Sequence, residues 1–482
     1  MEYRKYLIKT YPDIKEWAKP EYFNCIEPWT EDVDIEWLSN NINVSGRYLA
    51  DNIETPSNVI DPPITPQVLW SELEKNNYTH VGFSLITSGF SSFIKCAQAV
   101  KKFDPSIQTI AGGPGAMDKR TENYVDYVCI AENGNSGRGV PFLRNLFQED
   151  INRPYKITII PDQFCLVYKG RKIYTEQCKI ITKIGCPMKC DFCATNKLFA
   201  GEYTGEMFTP QQVHDALIDY RNQLRTQKLQ VFWAEPTTIW NLKWWYEFFD
   251  LFKEDSGDFS FFVAAPSIIL DKMDLDRISH SAARIGFVNI GVESFNKNYT
   301  KNRGIDISEL IRKLTDYGIS TYATYIVGFD FDTHDSVWED MEKLVNLDAD
   351  MFSVLNLHPL PGTETWIDLQ AQNRLLSLPS DYYVMHGFQP YLHPHFKPGF
   401  VDIFPLLCEI YKYIEVEKGN IFINAAQTME NLINFTNHPK IIRREIKMYK
   451  ALGKSIFNAW KEYFNPTEVQ QAQYLQKVQI TR

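Results

Sequence analysis

Between residues 178 and 360 the chain repeats one unit, a short run rich in β-branched and aromatic residues followed by a stretch with helical spacing. Six such runs occur: KIITKIG at 179–185, LQVFWAE at 229–235, FSFFVAA at 259–265, FVNIGVE at 287–293, YATYIVG at 322–328 and MFSVLNLHPL at 351–360. Strands that alternate with helices predict parallel pairing, because two parallel strands need a long crossover between them and a helix supplies it. Six β/α units close only part of a barrel, and barrels of this kind place chemistry at the carboxyl ends of their strands. Helix starts are well marked. Thr209, Pro210 and Gln212 supply an N-cap, a first-turn proline and the N3 partner of a capping box ahead of QQVHDALIDYRNQLR.

The first of these carboxyl ends carries Cys186, Cys190 and Cys193 in the run CPMKCDFC, spaced Cys-x3-Cys-x2-Cys, with Phe192 before the third cysteine. A four-iron cubane takes one thiolate per iron, so three cysteines leave one iron open for a substrate or cosubstrate. The alternative is a zinc knuckle with one more Cys or His. The usual zinc grammar is two pairs, and after Cys193 the next cysteine is Cys408.

With 482 residues the chain exceeds one ordinary core and predicts two or three domains, and 44% hydrophobic residues support a folded protein. A net charge of −10 argues against a nucleic-acid partner gripped through its phosphates. The amino-terminal run MEYRKYLIKTYPDIKEW lacks the apolar core of a signal peptide. The longest nearly uncharged apolar stretch, FSFFVAAPSIIL, is far short of the ~20 residues of a spanning helix, so no transmembrane segment is expected. Nine cysteines, six of them scattered, fit a reducing cytoplasm better than a disulfide scaffold.

The rest of the chain divides by pattern. Residues 1–65 read as an amino-terminal extension. Residues 66–150 give strand, helix, strand, with HVGFSLI, QTIAGG and YVDYVCIAE as strands and FSSFIKCAQAVKKF as a helix, an α/β pattern. Residues 151–177 read as linker strands about the turn KGRK, 178–370 as the barrel and 371–482 as a mostly helical region. His393 and His395 read as surface residues. Cys96 and Cys129 read as small buried hydrophobes.

The cysteine run and the strand ends that follow it resemble the radical S-adenosylmethionine (SAM) enzymes. The resemblance implies a [4Fe–4S] cluster on Cys186, Cys190 and Cys193, with SAM chelating the open iron and Phe192 beside it. It implies further SAM contacts from Glu235, which with Pro236 ends the second strand without the family's glycines, and from Glu293 and Ser294 after the fourth. Ile326 and Gly328 at the fifth strand match the adenine-contacting segment. PLPGT at 359–363 resembles a loop frequent in one large branch of these enzymes.

The segment before the barrel resembles the cobalamin-binding domain that precedes many radical SAM cores. The matching positions are Ser84, Thr87 and Ser88, then Gly112, Gly113, Pro114 and Gly115, then Glu132. Glycine loops at strand ends let backbone approach a nucleotide tail. The Asp-x-His-x-x-Gly motif, whose histidine ligates cobalt in some relatives, is missing, which implies cobalamin held without a histidine ligand. The fold class implied is α/β, a Rossmann-like cobalamin-binding domain followed by a partial (β/α)6 TIM-type radical SAM barrel and a helical carboxyl-terminal region. The activity implied is a cytoplasmic methyltransferase of unactivated carbon, working through a 5′-deoxyadenosyl radical and methylcobalamin on a small-molecule or peptide substrate. Its electron donor would be a flavodoxin or ferredoxin. Three alternatives stay open: a radical SAM enzyme with a non-methylating outcome such as cyclisation, ring rearrangement or oxidation; a methylthiotransferase, whose second cluster would need Cys25, Cys96 and Cys129; and a cobalamin carrier with a zinc knuckle.

Overall fold

The computed structural model describes residues 35–39, 42–61, 64–131, 137–168, 171–224, 228–253, 258–297, 299–302, 304–378 and 380–418. Eleven described strands form two sheets. The larger contains β1 (Ile35–Ser39), β5 (Thr158–Tyr168), β6 (Arg171–Ile181), β7 (Lys228–Trp233), β8 (Asp258–Ala264), β9 (Ala283–Glu293), β10 (Ser320–Val327) and β11 (Met351–Asn356), in that spatial order. From β6 to β11 every neighbouring pair is parallel, while β1–β5 and β5–β6 are antiparallel. The six parallel strands are the six runs of the sequence, and they make an α/β half-open barrel.

The register explains why these segments read as nearly continuous apolar runs. Outward residues of the parallel strands, among them Leu229, Val231, Trp233, Phe259, Phe261, Ile290, Val292, Ala323, Tyr325 and Val354, share one core with the covering helices. Trp244, Trp245, Phe248 and Phe249 of helix Leu242–Phe249 fill it around Trp233. Each buried large side chain contributes about 1.5–3 kcal/mol, and this layer fixes strand spacing and so the position of the strand ends. Thr209 forms the expected capping box with Gln212 at helix Pro210–Asn222, and Thr333 forms another with Ser336 at helix His334–Asn346.

The hairpin of β5 and β6 is not a separate linker. Residue 177 lies inside β6, which pairs with β5 along its whole length and, from Gln177 to Ile180, with β7 on its other edge. A strand running without a break through both pairings ties the hairpin to the barrel. The extension contributes too: β1 adds an antiparallel edge to β5, and Tyr48 packs with Val140 and Ile181.

The smaller sheet holds β2 (His80–Ser84), β3 (Gln108–Gly112) and β4 (Tyr127–Cys129), all parallel and in chain order. Helix Phe90–Phe103 crosses between β2 and β3. Its core is shared with the barrel's loops: Ala194 and Leu198, just past Cys193, are buried with Leu85, Phe90, Ala111 and Met117, and Leu360 packs against them. The region after 371 differs from the helical expectation over its first part. Residues 374–378 and 380–400 are mostly irregular, with a short 3-10 turn Ser380–Val384 and isolated bridges Leu375–Tyr391 and Gln389–Gly399, before helix Ile403–Lys418. Here side chains replace helix hydrogen bonds: Asn356 bonds Phe388 O at 2.9 Å and accepts from Gly387 N at 2.8 Å. Residues 419–482, also expected to be helical, lie outside the described residues.

Candidate functional site

Cys186, Cys190 and Cys193 follow β6 on one half-buried loop at the carboxyl end of the barrel, all with free thiols. Gly185 has a φ of 86°, and a Cβ there would run into the carbonyl of Glu202, so only glycine turns the chain into the loop. Cys193 N bonds Cys190 O at 3.2 Å, Cys193 caps helix Ala194–Leu198, and the Cys186 thiol lies 2.8 Å from Thr237 Oγ1. Burial pushes the Cys190 thiol up to about 11; Lys301 pulls it down, and Cys193, Glu293 and Cys186 push it up. Those influences place the three thiols, Lys301 and Glu293 in one neighbourhood. Among the described residues no three His, Cys, Asp or Glu side chains converge on a single ion position. A cubane takes each thiolate on a different iron and so accepts thiols standing further apart.

Glu235, at the end of β7, is buried between strands. Its Oε1 accepts from Thr182 N, from Thr182 Oγ1 at 2.8 Å and from Lys183 N at 3.1 Å. Its Oε2 accepts no hydrogen bond, with the Lys183 ammonium 3.9 Å away. Lys183 is itself buried and donates to Thr238 O and, at 3.2 Å, to Glu206. Burial raises the Glu235 carboxyl to about 7 against the pull of Lys183 and the Thr182 and Lys183 hydrogen bonds. A buried carboxylate with one oxygen held and one unpartnered keeps a place for a further donor.

At β9 the chain ends in a non-glycine left-handed residue, Glu293, with φ 62°. Its Oε1 takes a 2.6 Å bond from Lys301, and both groups lie over Gly291, where a Cβ would collide with them. Asn302 braces the loop by donating to Gly291 O at 3.0 Å and Val292 O at 2.9 Å. Ser294 is buried, and its hydroxyl accepts from Asn296 N at 3.0 Å. Nothing in the sequence pattern singled out Lys301, because a lysine in a loop has no spacing signal.

Ile326 and Gly328 close β10. Gly328 has φ 109°, and Gly328 N and Phe329 N both donate to Asp332 Oδ2, at 2.8 and 3.0 Å. Burial raises the Asp332 carboxyl to about 7 against those two hydrogen bonds. Tyr391 donates to Gly328 O; His393, whose Nδ1 accepts from His395 N and Phe396 N, donates through Nε2 to Phe329 O at 2.9 Å. His393 is thus a brace. Phe192 meets Phe329 edge-on at 6.0 Å and packs with Ile326, Phe329 and Leu357, so the cysteine loop and the end of β10 form one apolar corner. Tyr299 joins it 5.3 Å from Phe329.

In the small domain the glycine loops are used differently from the expectation. Gly113 has φ 90° and a Cβ there would stand 2.7 Å from Leu85 O, while one on Gly115 would stand 2.7 Å from the Ile86 carbonyl carbon. The close approach is therefore made to the chain's own β2 loop, which is also tied by Leu85 N to Gly112 O at 2.7 Å and Gly115 N to Leu85 O at 2.9 Å. Pro114 starts the short 3-10 turn Pro114–Met117. Thr87 is buried, whereas Ser84 and Ser88 remain accessible and Ile86 is 59% exposed at the carboxyl edge. Glu132 lies outside the described residues. Ser380 and Asp381 stitch this edge to the carboxyl-terminal segment: Arg120 donates to Asp118 and Ser380, each at 2.6 Å, Ser380 donates to Asp118, and Ser91 to Asp381. A groove of about 560 Å³ lined by Trp70, Lys95 and Lys102 shares no residue with this site.

The sequence description of the Radical SAM superfamily matches residues 180–344, from β6 to the helix before β11. Residues 180–344 are a radical SAM domain. The cofactors that go with such a domain are a [4Fe–4S] cluster and SAM. The fold as a whole is similar to the radical S-adenosylmethionine methyltransferase TsrM from Kitasatospora setae, in a structure with tryptophan substrate and a SAM analogue bound. The two are 12% identical with a TM-score of 0.52, over 82% of this chain and 91% of that one. A second structure of TsrM, with cobalamin and a [4Fe–4S] cluster bound, gives 11% identity and a TM-score of 0.51 over the same shares. An uncharacterized methyltransferase of Pyrococcus horikoshii is 21% identical over 207 residues, 41% of this chain and 43% of that protein, so the chain spans less than half of that relative. No described helix is long and apolar enough to cross a membrane.

Proposed function

We propose that this protein is a cobalamin-dependent radical SAM methyltransferase acting on an unactivated carbon, working in the cytoplasm with a flavodoxin or ferredoxin as electron donor. The observation that carries the reading is the meeting of two carboxyl edges: the β2–β4 edge shares its core with Ala194, Leu198 and Leu360 from the loops above the barrel. A cofactor on one edge then faces a substrate on the other. The donor set fits a cluster: three free, half-buried thiols on one loop. The uncovered Ile86 and the accessible Ser84 and Ser88 suit a corrin with its amide rim. TsrM, similar in overall fold, is described with cobalamin bound.

The chain's own residues then have separable tasks. Cys186, Cys190 and Cys193 hold the cluster. Glu235 takes the ammonium of SAM on its open Oε2, and Lys301, held by Glu293, offers a cation to the carboxylate. Ile326, Phe192 and the Gly328–Phe329 turn flank the purine, the turn fixed by Asp332, and Ser294 stands by the ribose. The apolar corner of Phe192, Phe329 and Tyr299 excludes water. When bound, the cluster supplies an electron to the sulfonium of SAM, and cobalamin supplies a transferable methyl group.

The methylthiotransferase alternative gains no support from the cysteines: Cys96 and Cys129 are buried, Cys96 among Leu69, Leu73 and Val100 behind the sheet, and Cys25 lies outside the described residues. Anaerobic protein reconstituted with iron, sulfide and hydroxocobalamin tests the proposal by product analysis. Formation of 5′-deoxyadenosine together with S-adenosylhomocysteine, and corrin retained through gel filtration, is the expected result. 5′-Deoxyadenosine without retained corrin would leave a non-methylating radical enzyme instead.

A further inference from the structure

The two faces of the barrel strands are filled unequally. Outward residues Val231, Trp233 and Val354 are at most 2% exposed, whereas their inward neighbours Phe232 and Leu355 are 40% and 39% exposed. A barrel interior is ordinarily a packed core of side chains, and large apolar side chains left open on a concave face mark a site with an occupant. Rings line this face in a row that runs from the exposed Phe232 to the buried Phe262 and Phe287: Phe232 and Phe262 lie 6.3 Å apart, Phe262 and Phe287 5.4 Å, Phe287 and Tyr322 6.0 Å. Met351 continues the row beside Tyr322.

The unsatisfied polar groups within the strands of this face are uncharged. Asn289 sits in register with Ala264 on β8 and Tyr322 on β10, and its Oδ1 is buried without a hydrogen-bond partner. One level deeper Gln230 Nε2 and Ser260 Oγ are likewise unsatisfied. Leaving such groups unsatisfied carries a desolvation penalty, which a ligand's own polar groups would recover. The charges sharing this face are matched: Lys179 with Asp162 at 2.9 Å, Lys301 with Glu293 at 2.6 Å, and Arg284 beside Asp258. A charged substrate entering here would lose water without gaining a counter-ion.

We propose that the concave face binds an uncharged substrate with a flat apolar portion, seated along Phe232, Phe262, Phe287 and Tyr322, and an N–H or O–H group donated to Asn289. This assignment of substrate class rests on the radical SAM reading of the same barrel. A planar ring gains from edge and offset contacts with the row, and the donor to Asn289 fixes which end points towards the cysteine loop.

The test uses two probes of one shape, neutral 2-naphthamide and anionic 2-naphthoate, in equilibrium dialysis against the full reconstituted protein, with SAM cleavage followed on the same samples. The expected result is that 2-naphthamide binds at least about tenfold more tightly than 2-naphthoate, equivalent to about 1.4 kcal/mol. Phe232→Asp and Asn289→Leu each weaken 2-naphthamide about tenfold. Phe232 is open enough to accept a polar replacement; Leu355→Asp serves as its check, and thermal melts confirm that each variant is folded. Equal binding of the two probes, no binding of 2-naphthamide, or binding unchanged in folded variants overturns the proposal. If SAM is cleaved while 2-naphthamide fails to bind, the substrate class falls and the radical SAM reading stands. If 2-naphthamide binds as expected while SAM is not cleaved, the reverse holds.

Discussion

At the carboxyl end of β9, Gly291 lies beneath the Glu293 carboxylate and the Lys301 ammonium; at the carboxyl end of β3, Gly113 and Gly115 lie against the backbone of Leu85 and Ile86. Both places answer to the same sequence grammar, a strand running into a glycine loop. In the barrel the missing Cβ makes room for charged side chains that face the site. In the small domain it makes room for the protein's own chain. A glycine motif at a strand end therefore reports a close approach and leaves open what approaches, since conformational freedom and absent volume are all that glycine contributes.

The sharpest way to break the comparison is at the cysteines. Cys186→Ala, Cys190→Ala and Cys193→Ala should each abolish SAM cleavage and remove most bound iron, because Cys178, the nearest other described cysteine along the chain, is fully buried within β6 in the core under the helices and offers no replacement. Iron assay and 5′-deoxyadenosine formation check this, and wild-type iron in all three variants would refute the assignment.

Gly113→Val acts on the other region. The left-handed backbone strain alone costs about 1–3 kcal/mol, and the Cβ contact with Leu85 O adds to it. Because Ala194 and Leu198 share the small domain's core, calorimetry should show one transition moved down as a whole. Two transitions, with only one displaced, would mean that the domains fold independently.

Glu235→Gln should keep iron but weaken SAM binding. A charge-assisted hydrogen bond is worth roughly 1.5–3 kcal/mol, so dialysis should show about a 10- to 150-fold loss. Unchanged affinity would reduce Glu235 to a structural brace for Thr182 and Lys183.

Much of the barrel was legible in the sequence. Alternating strand and helix patterns survive because each parallel strand is buried outward against helices, and Thr209 announces its helix through local chemistry alone. The linker boundary near 177 falls inside β6, where β7 joins the free edge of a strand that stays paired with β5, so no break in conformation marks it. At the site, Cys186, Glu235 and Gly328 stand at strand ends and can be counted off. Lys301, Asp332 and Tyr391 act from loops whose position is set by tertiary contacts, so periodicity carries no trace of them. The inward row of Phe232, Phe262 and Phe287 was invisible for a related cause: each reads as core until register shows which face it occupies.

The smallest expected effect contrasts the two regions by their response to pH. Glu235 is raised by burial to about 7 from 4.5, with Lys183, Glu206 and Tyr203 as its titratable neighbours. The folded state thus holds a proton that the unfolded chain releases between those values, so this group's contribution to stability falls as pH rises from 4.5 to about 7, by up to roughly 1.4 kcal/mol per pH unit. Asp118, at the seam with Ser380, behaves oppositely. Burial pushes it up, but the Arg120 and Ser380 hydrogen bonds outweigh that and hold it below 3.8. Its contribution is present above 3.8 and is lost as pH falls below it. Denaturant unfolding of the cofactor-free protein should therefore show Glu235→Gln flattening the slope between pH 4.5 and 7, while Asp118→Asn changes the slope only below about pH 4. Saturating SAM should flatten the wild-type slope as well, because an ammonium on Oε2 stabilises the ionised carboxylate. A wild-type slope that SAM leaves untouched would separate Glu235 from the ligand and leave Lys183 as its sole counter-charge.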